Sequence, residues 1–249
     1  MSIQTVMVIG AGQMGGGIAQ VMAQAGHKTY LNDVNLDIVN SRIAFIEKLL
    51  TKDVSKGRIT EEQKAAALAN LIPSADQHDA ADCDLVVEAI VENMEIKAKV
   101  FKNLDEICKP SCILASNTSS LPITEIAAHT KRPEQVIGMH FMNPVPVMKL
   151  VEIIRGLATS DETYEAIKNE SLNLNKTPVE VRDVPGFISN RVLQMMINEA
   201  IYCLYEGVAT PEDIDTVMKL GMNHPMGPLQ LADFIGLDTV LAIMETLYE

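Results

Sequence analysis

"TVMVIGAGQMGGG", residues 5–17, is the stretch that decides the fold. Residues 5–10 form a short apolar run rich in β-branched side chains, and a helical pattern runs from Met14 to Gly26. Between the two stand Gly10, Gly12 and Gly15 in a G-x-G-x-x-G spacing, directly after a strand and at the start of a helix. Each glycine has its own reason. The first allows a tight turn, the second lets the backbone approach a pyrophosphate, and the third lets the helix pack closely on a sheet. The free N–H groups and positive dipole end of that helix then face the phosphates. Gly10, Gly12, Gln13, Met14 and Gly15 are therefore candidate cofactor contacts. A lone G-x-G-x-x-G also arises by chance in glycine-rich turns, so its surroundings must carry the reading.

Those surroundings agree. "KTYLND" (28–33) reads as a second strand, and Asp33 ends it where a carboxylate can accept hydrogen bonds from the adenosine ribose hydroxyls. A 2′-phosphate there would meet a like charge and no Arg follows directly, which favours NAD(H) over NADP(H). Further strands are expected at 83–90, 112–117 and 135–141, alternating with helices at 36–54, 60–71, 93–107 and 122–128. This βαβ alternation predicts an α/β fold with a Rossmann-type, mostly parallel sheet covered on both faces. A helix at 161–174 and a short strand at 178–182 follow, and then the turn-rich "DVPGF" (183–187). From Phe187 onward only helical patterns remain, split by Gly and Pro. The expectation is a dinucleotide-binding domain over 1–185 and an all-α C-terminal domain over 186–249.

Composition narrows the partners. A formal charge of −13 argues against a general nucleic-acid or anionic-membrane binder, since both need a basic face. Coenzyme-sized anions need only a local basic cluster. "EKLLTKDVSKGR" (47–58) offers Lys48, Lys52, Lys56 and Arg58 at spacings that share a helix face, although a solvated helix surface has the same pattern. The four cysteines form no CxxC pair and no zinc-site spacing, so no metal is expected. Free thiols fit a reducing, cytoplasmic setting. The N-terminus enters a strand pattern at once, which leaves no room for a signal peptide, and no run of about 18 apolar residues suggests a membrane span.

Two polar residues interrupt apolar runs in "GMHFMNPVPVMKLVEI" (138–153). If the segments on either side of the Pro-bearing loop are antiparallel, residues 140 and 152 flank a turn centred on Pro146, with Cβ atoms roughly 5 Å apart. A buried carboxylate at Glu152 needs a partner, and His140 supplies one. An imidazole suits proton transfer in both directions, and a carboxylate on its other nitrogen fixes the tautomer. The plainer alternative is a core histidine satisfied by a carbonyl. Glu88, Glu92 and Lys97 fall at or beyond the carboxyl edge of the strand at 83–90, although acids also favour any helix start. Ser119 and Ser120 stand just past another strand end, where an N-cap or ST-turn is the simpler use. His27, His78, His129 and His224 show no comparable partner and read as structural or surface residues.

"VIGAGQMGGGIAQ", "DLVVEAIVEN", "ASNTSSLPITEIA", "GMHFMNPVPVMKLVEI", "DVPGFISNRV" and "HPMGPLQLADFIGLDT" together resemble the 3-hydroxyacyl-CoA dehydrogenase family, from residue 3 to the end of the chain. The resemblance is closest to the short bacterial members that act on (S)-3-hydroxybutyryl-CoA and acetoacetyl-CoA. It implies an NAD-dependent dehydrogenase of butyrate or butanol formation or of fatty-acid metabolism, homodimeric through the helical domain. It further implies His140 as the catalytic base, Glu152 as its partner, and Ser119 and Asn190 as substrate contacts. Asn143, Glu92, Lys97 and Ser119 would line the nicotinamide side. For the phosphates of such a CoA substrate, the basic cluster at 47–58 offers Lys52 and Lys56. Family members continue past the final "METLYE" into a Gly/Lys-rich stretch whose loss would remove helical packing surface. Two other functions remain open: an enzyme-derived protein that binds NAD without turnover, and a related dehydrogenase of another hydroxy acid.

Overall fold

The structure, a computed structural model, describes residues 2–248. Its first unit, ending at Asp183, is built on an eight-stranded sheet. In chain order the elements are β1 (Thr5–Ile9), α1 (Gln13–Gln24), β2 (Lys28–Asn32), α2 (Leu36–Ser55), α3 (Glu61–Asn70), β3 (Leu71–Ser74), β4 (Leu85–Glu88), α4 (Met94–Ile107) and β5 (Ile113–Ser116). There follow α5 (Ile123–Ala128), β6 (Val136–Phe141), β7 (Leu150–Arg155), α6 (Asp161–Asn173) and β8 (Thr177–Arg182). The strand order is β3-β2-β1-β4-β5-β6-β7-β8, and every neighbouring pair is parallel except β6 with β7. Crossovers therefore leave β1 toward β2 on one side and β4 on the other, and the reversal opens a crevice at the carboxyl ends of those strands.

Composition explains the centre and the edges. All residues of β4, β5 and β6 are buried, as expected of strands covered on both faces. The two edge strands, β3 and β8, carry Pro73 and Pro178, which a central ladder would not tolerate. β3 is the one strand absent from the sequence reading. "LIPS" is four residues long and holds a proline, so it carries neither a run nor an alternation, and the strand expected as third is fourth. The apolar core joins the sheet to α1, α2 and α6 through residues such as Val8, Ile18, Ile46, Val87 and Ile167. Thr60 and Gln63 close a capping box at the start of α3, which fixes that helix despite its exposed surface.

The second unit begins at Val184 and is helical: α7 (Ser189–Tyr205), α8 (Pro211–Gly221), α9 (Pro228–Ile235) and α10 (Leu237–Tyr248). Ile197, Ala232 and Val240 form its small core. Asp215 accepts the Leu229 and Gln230 N–H groups, both at 2.9 Å, and thereby caps α9, whose N-cap is a glycine. Among the described residues no helix is long and apolar enough to cross a membrane.

Candidate active site

The turn from β1 into α1 shows why each glycine is needed. Gly10 has φ +102°, and a Cβ there would lie 2.5 Å from the Ala89 carbonyl oxygen. A Cβ on Gly15 would sit 1.8 Å from the Gly10 oxygen. Gly12 differs: a Cβ would meet nothing within 4 Å, so the protein's own packing does not require it. The open space lies at the start of α1, where no side chain caps the helix N–H groups. Those are the conditions a pyrophosphate needs. Asp33, just past β2, accepts from Ala11 N–H through Oδ2 at 2.7 Å and from Val34 N–H through Oδ1 at 2.7 Å. Each oxygen keeps a lone pair for a ribose hydroxyl. A cavity of about 400 Å³ covers these strand ends, bounded by Gly10, Gly12, Asp33, Val34, Ile90 and Val91. Arg42, which sequence spacing did not single out, donates from Nε to the Ala11 carbonyl at 3.0 Å and braces the turn from α2.

At the ends of β4 and β5 a chain of charged bonds holds the loop that carries Ser119. Glu88 is the last residue of β4 and fully buried. It accepts from Lys97 Nζ at 2.6 Å, Ser116 Oγ at 2.7 Å and Ile90 N–H at 2.7 Å, so its carboxylate is satisfied. Lys97 Nζ also lies 3.3 Å from Glu92 Oε2. Glu92 Oε1 in turn accepts from the Thr118 hydroxyl, from Ser119 N–H at 2.9 Å and from Ser120 N–H at 3.1 Å. Desolvation pushes the Glu92 carboxyl up, but Lys97 and the bonds from Thr118 and Ser119 outweigh it and hold it below its usual range. Lys97, expected to line the nicotinamide side, is 1% exposed and is held between Glu88 and Glu92.

β6 and β7 supply the remaining pair. Their antiparallel register sets His140 opposite Glu152, as a turn centred on Pro146 requires. His140 Nδ1 lies 2.8 Å from Glu152 Oε2, and its Nε2 lies 3.1 Å from Ser119 Oγ. An ionised Glu152 can only accept, so Nδ1 carries the proton and Nε2 is left as the acceptor. Both residues are buried, Glu152 to 1% exposure. Asn143, in the loop between the strands, is exposed and accepts from Gln13 Nε2 at 3.1 Å, which ties that loop to the first turn of α1. The structure thus gathers His140, Glu152, Ser119 and Glu92 into one bonded group, with Asn143 joined to the glycine turn.

The remaining expected residues lie on other elements. Asn190 lies in the first turn of α7, in the second unit. Lys48 and Lys52 are exposed on α2, but the helix ends at Ser55, so Lys56 is its C-cap and Arg58 lies past Gly57. The expected four-residue helix face is therefore reduced to two, and Arg58 is paired with Asp53 at 3.0 Å. His27 corrects the sequence reading too. It has a buried partner, Glu170, at 2.7 Å, brought from α6 by tertiary packing that no local spacing encodes. His78 bonds Asp76 at 2.8 Å on the surface. All four cysteines are free, and no group of three metal-ligating side chains occurs among the described residues.

Comparison with known proteins gives a consistent result. Residues 5–184 match the family model of the 3-hydroxyacyl-CoA dehydrogenase NAD binding domain, and residues 186–249 that of its C-terminal domain. A probable 3-hydroxybutyryl-CoA dehydrogenase of Bacillus subtilis is 60% identical over 248 residues, covering 100% of this chain and 86% of that protein. The mitochondrial hydroxyacyl-coenzyme A dehydrogenase of Homo sapiens is 46% identical, covering 99% of this chain and 81% of its own length. Among solved structures, an (S)-3-hydroxybutyryl-CoA dehydrogenase of Ralstonia eutropha superposes with a TM-score of 0.97 at 50% identity. That match covers 99% of this chain and 87% of the other.

Proposed function

The chain belongs to the 3-hydroxyacyl-CoA dehydrogenase family, and from that premise we propose that it interconverts (S)-3-hydroxybutyryl-CoA and acetoacetyl-CoA with His140 as the acid–base group. Bound NAD(H) supplies the hydride acceptor or donor. His140 Nε2 removes the 3-hydroxyl proton on oxidation and returns it to the carbonyl oxygen on reduction. Glu152 holds the Nδ1 proton and stabilises the imidazolium that forms. Ser119 Oγ converges with Nε2 on the position of the substrate oxygen, so one hydroxyl and one imidazole fix where the proton moves. The observation that carries this reading is the two-sided bonding of His140: a buried carboxylate on Nδ1 and a hydroxyl on Nε2.

Asp33 is assigned to the adenosine ribose, and Gly10, Gly12, Gln13, Met14 and Gly15 to the phosphates. Glu92 and Asn143 are assigned to the nicotinamide side, with Lys97 acting through Glu92. Asn190 as a substrate contact rests on the family resemblance alone, and Lys52 and Lys56 as CoA-phosphate contacts rest on the basic cluster at 47–58. The helical unit exposes Val192, Tyr205, Leu220 and Phe234, and an apolar surface of that extent supports a homodimer formed through it. Free cysteines suit a cytoplasmic enzyme.

The test is NADH oxidation with acetoacetyl-CoA by the wild type and by Ser119→Ala. The wild type should turn over, and Ser119→Ala should lose roughly 10- to 100-fold in kcat, because a single hydrogen bond at the reacting oxygen is removed. A folded wild type that binds NADH but never oxidises it would reject catalysis in favour of binding without turnover.

A further inference from the structure

Lys176, in the turn from α6 into β8, is a buried cation that the site described above does not use. It is 6% exposed and forms no ion pair among the described residues. Its Nζ donates to two carbonyls, Val145 and Met148, the latter at 2.8 Å. Both belong to the loop between β6 and β7. Burial pushes the Lys176 ammonium below the usual lysine range, and the like charge of Lys149 adds to the effect. Holding an ammonium with carbonyl dipoles alone is costly, so this lysine is a poor choice for stability.

The loop it holds also packs on α1. A Cβ on Gly17 would come within 2.9 Å of Val145 Cβ, so the loop rests directly on the helix at this glycine. Val145 is 2% exposed, and two residues before it Asn143 accepts from Gln13. Inside the loop, Val147 and Met148 N–H both turn to the Pro144 carbonyl at 3.0 Å, which leaves the Val145 and Met148 carbonyls for Lys176. The loop is therefore a short strap held both by Lys176 and by α1. Asn143 is its exposed end nearest the glycine turn.

We propose that Lys176 is a positioning residue for cofactor binding: by clamping the Val145 and Met148 carbonyls it sets Asn143 beside the dinucleotide turn. This rests on the assignment of Asn143 to the cofactor. Lys176 touches neither cofactor nor substrate, and its effect passes through the loop.

The experiment is fluorescence titration of NADH into the full chain without acyl-CoA, so the readout does not depend on turnover. Asn143→Ala and Lys176→Met should each weaken NADH about tenfold, on the scale of one lost charge-assisted hydrogen bond. The double variant should bind no worse than the weaker single one, because both changes remove the same contact. Multiplied losses in the double variant, or wild-type affinity in folded Lys176→Met while Asn143→Ala is weakened, would overturn the proposal. Wild-type affinity in Asn143→Ala would overturn its premise while leaving the His140 reading intact. Should Lys176→Met fail to fold, Gly17→Ala presses on Val145 with the lysine in place. It should weaken NADH as well, and unchanged binding there would count against control by the loop.

Discussion

His140 and His27 are both 5% exposed, and each has a ring nitrogen close to a buried glutamate, Glu152 at 2.8 Å and Glu170 at 2.7 Å. Burial and partner chemistry do not separate them. Position and the use of the nitrogens do. His140 lies near the carboxyl end of β6, with Glu152 on Nδ1 and Ser119 on Nε2. His27 stands just before β2, at the amino end of its strand. Its Nε2 is shared between Glu170 and Asn173, the latter at 3.2 Å. In a doubly wound sheet, ligands collect at the carboxyl ends of the strands, so only the first pair is placed to meet one. The second joins the α1–β2 turn to α6. A buried His–Glu pair is thus a common structural device, and its address on the sheet decides whether it can act on a substrate.

The largest expected effect tests that contrast directly. His140→Ala should lower kcat by about 10²–10⁴, the range for removing a general acid–base group. His27→Ala should keep kcat within about twofold of wild type and instead lower the melting temperature, since Glu170 would be left unpaired at a cost of roughly 1–3 kcal/mol. Rates of NADH oxidation and thermal unfolding of both variants separate the outcomes. A folded His27→Ala protein as inactive as His140→Ala would break the comparison.

Exchanging the carboxylates sharpens it. Glu152→Gln keeps a polar group on Nδ1 but removes the charge that stabilises the imidazolium, and kcat should fall far below wild type. Glu170→Gln should leave kcat unchanged and lower the melting temperature. Equal kcat losses in the two variants would mean that the sheet edge does not distinguish the pairs.

Much of the candidate site was legible because it is local. The glycine turn and Asp33 follow from short spacings, and the facing of His140 and Glu152 follows from one turn centred on Pro146. Family resemblance chose Ser119 over Ser120, a choice their shared local chemistry could not make. The brackets around the site were not legible. Glu88 reads as an acid at the edge of the strand at 83–90 or as a helix-start acid, and neither reading names Lys97 as the cation it takes at the end of that buried strand. That pairing had a usable signal, since a carboxylate closing a fully apolar strand needs a nearby positive charge. His27 with Glu170, and Lys176 with the β6–β7 loop, had none, because each joins elements far apart in sequence. The shared helix face expected at 48–58 is shortened for a different reason. Gly57 at φ +67° marks the turn at the end of α2, so only Lys48 and Lys52 share its surface.

The smallest effect concerns acid. No carboxylate near His27 has the set of donors that Glu92 Oε1 receives from the Ser119 loop. Desolvation raises the Glu92 carboxyl, but Lys97 and the donors from Thr118 and Ser119 hold it below the ordinary glutamate value of 4.5. The native state therefore binds fewer protons here than the unfolded chain does as pH falls below that value. The stabilising contribution is fully present above the unfolded value and is lost as pH drops through the folded one. Thermal unfolding of wild type and Glu92→Gln across that range should show the full gap at neutral pH and a closing gap in acid. Because the same carboxylate fixes the Ser119 backbone, kcat should decline over the same interval. A gap that stays constant throughout the acid range would show that the bonds to Glu92 do not depend on its charge, and the Ser119 loop would then be held by shape alone.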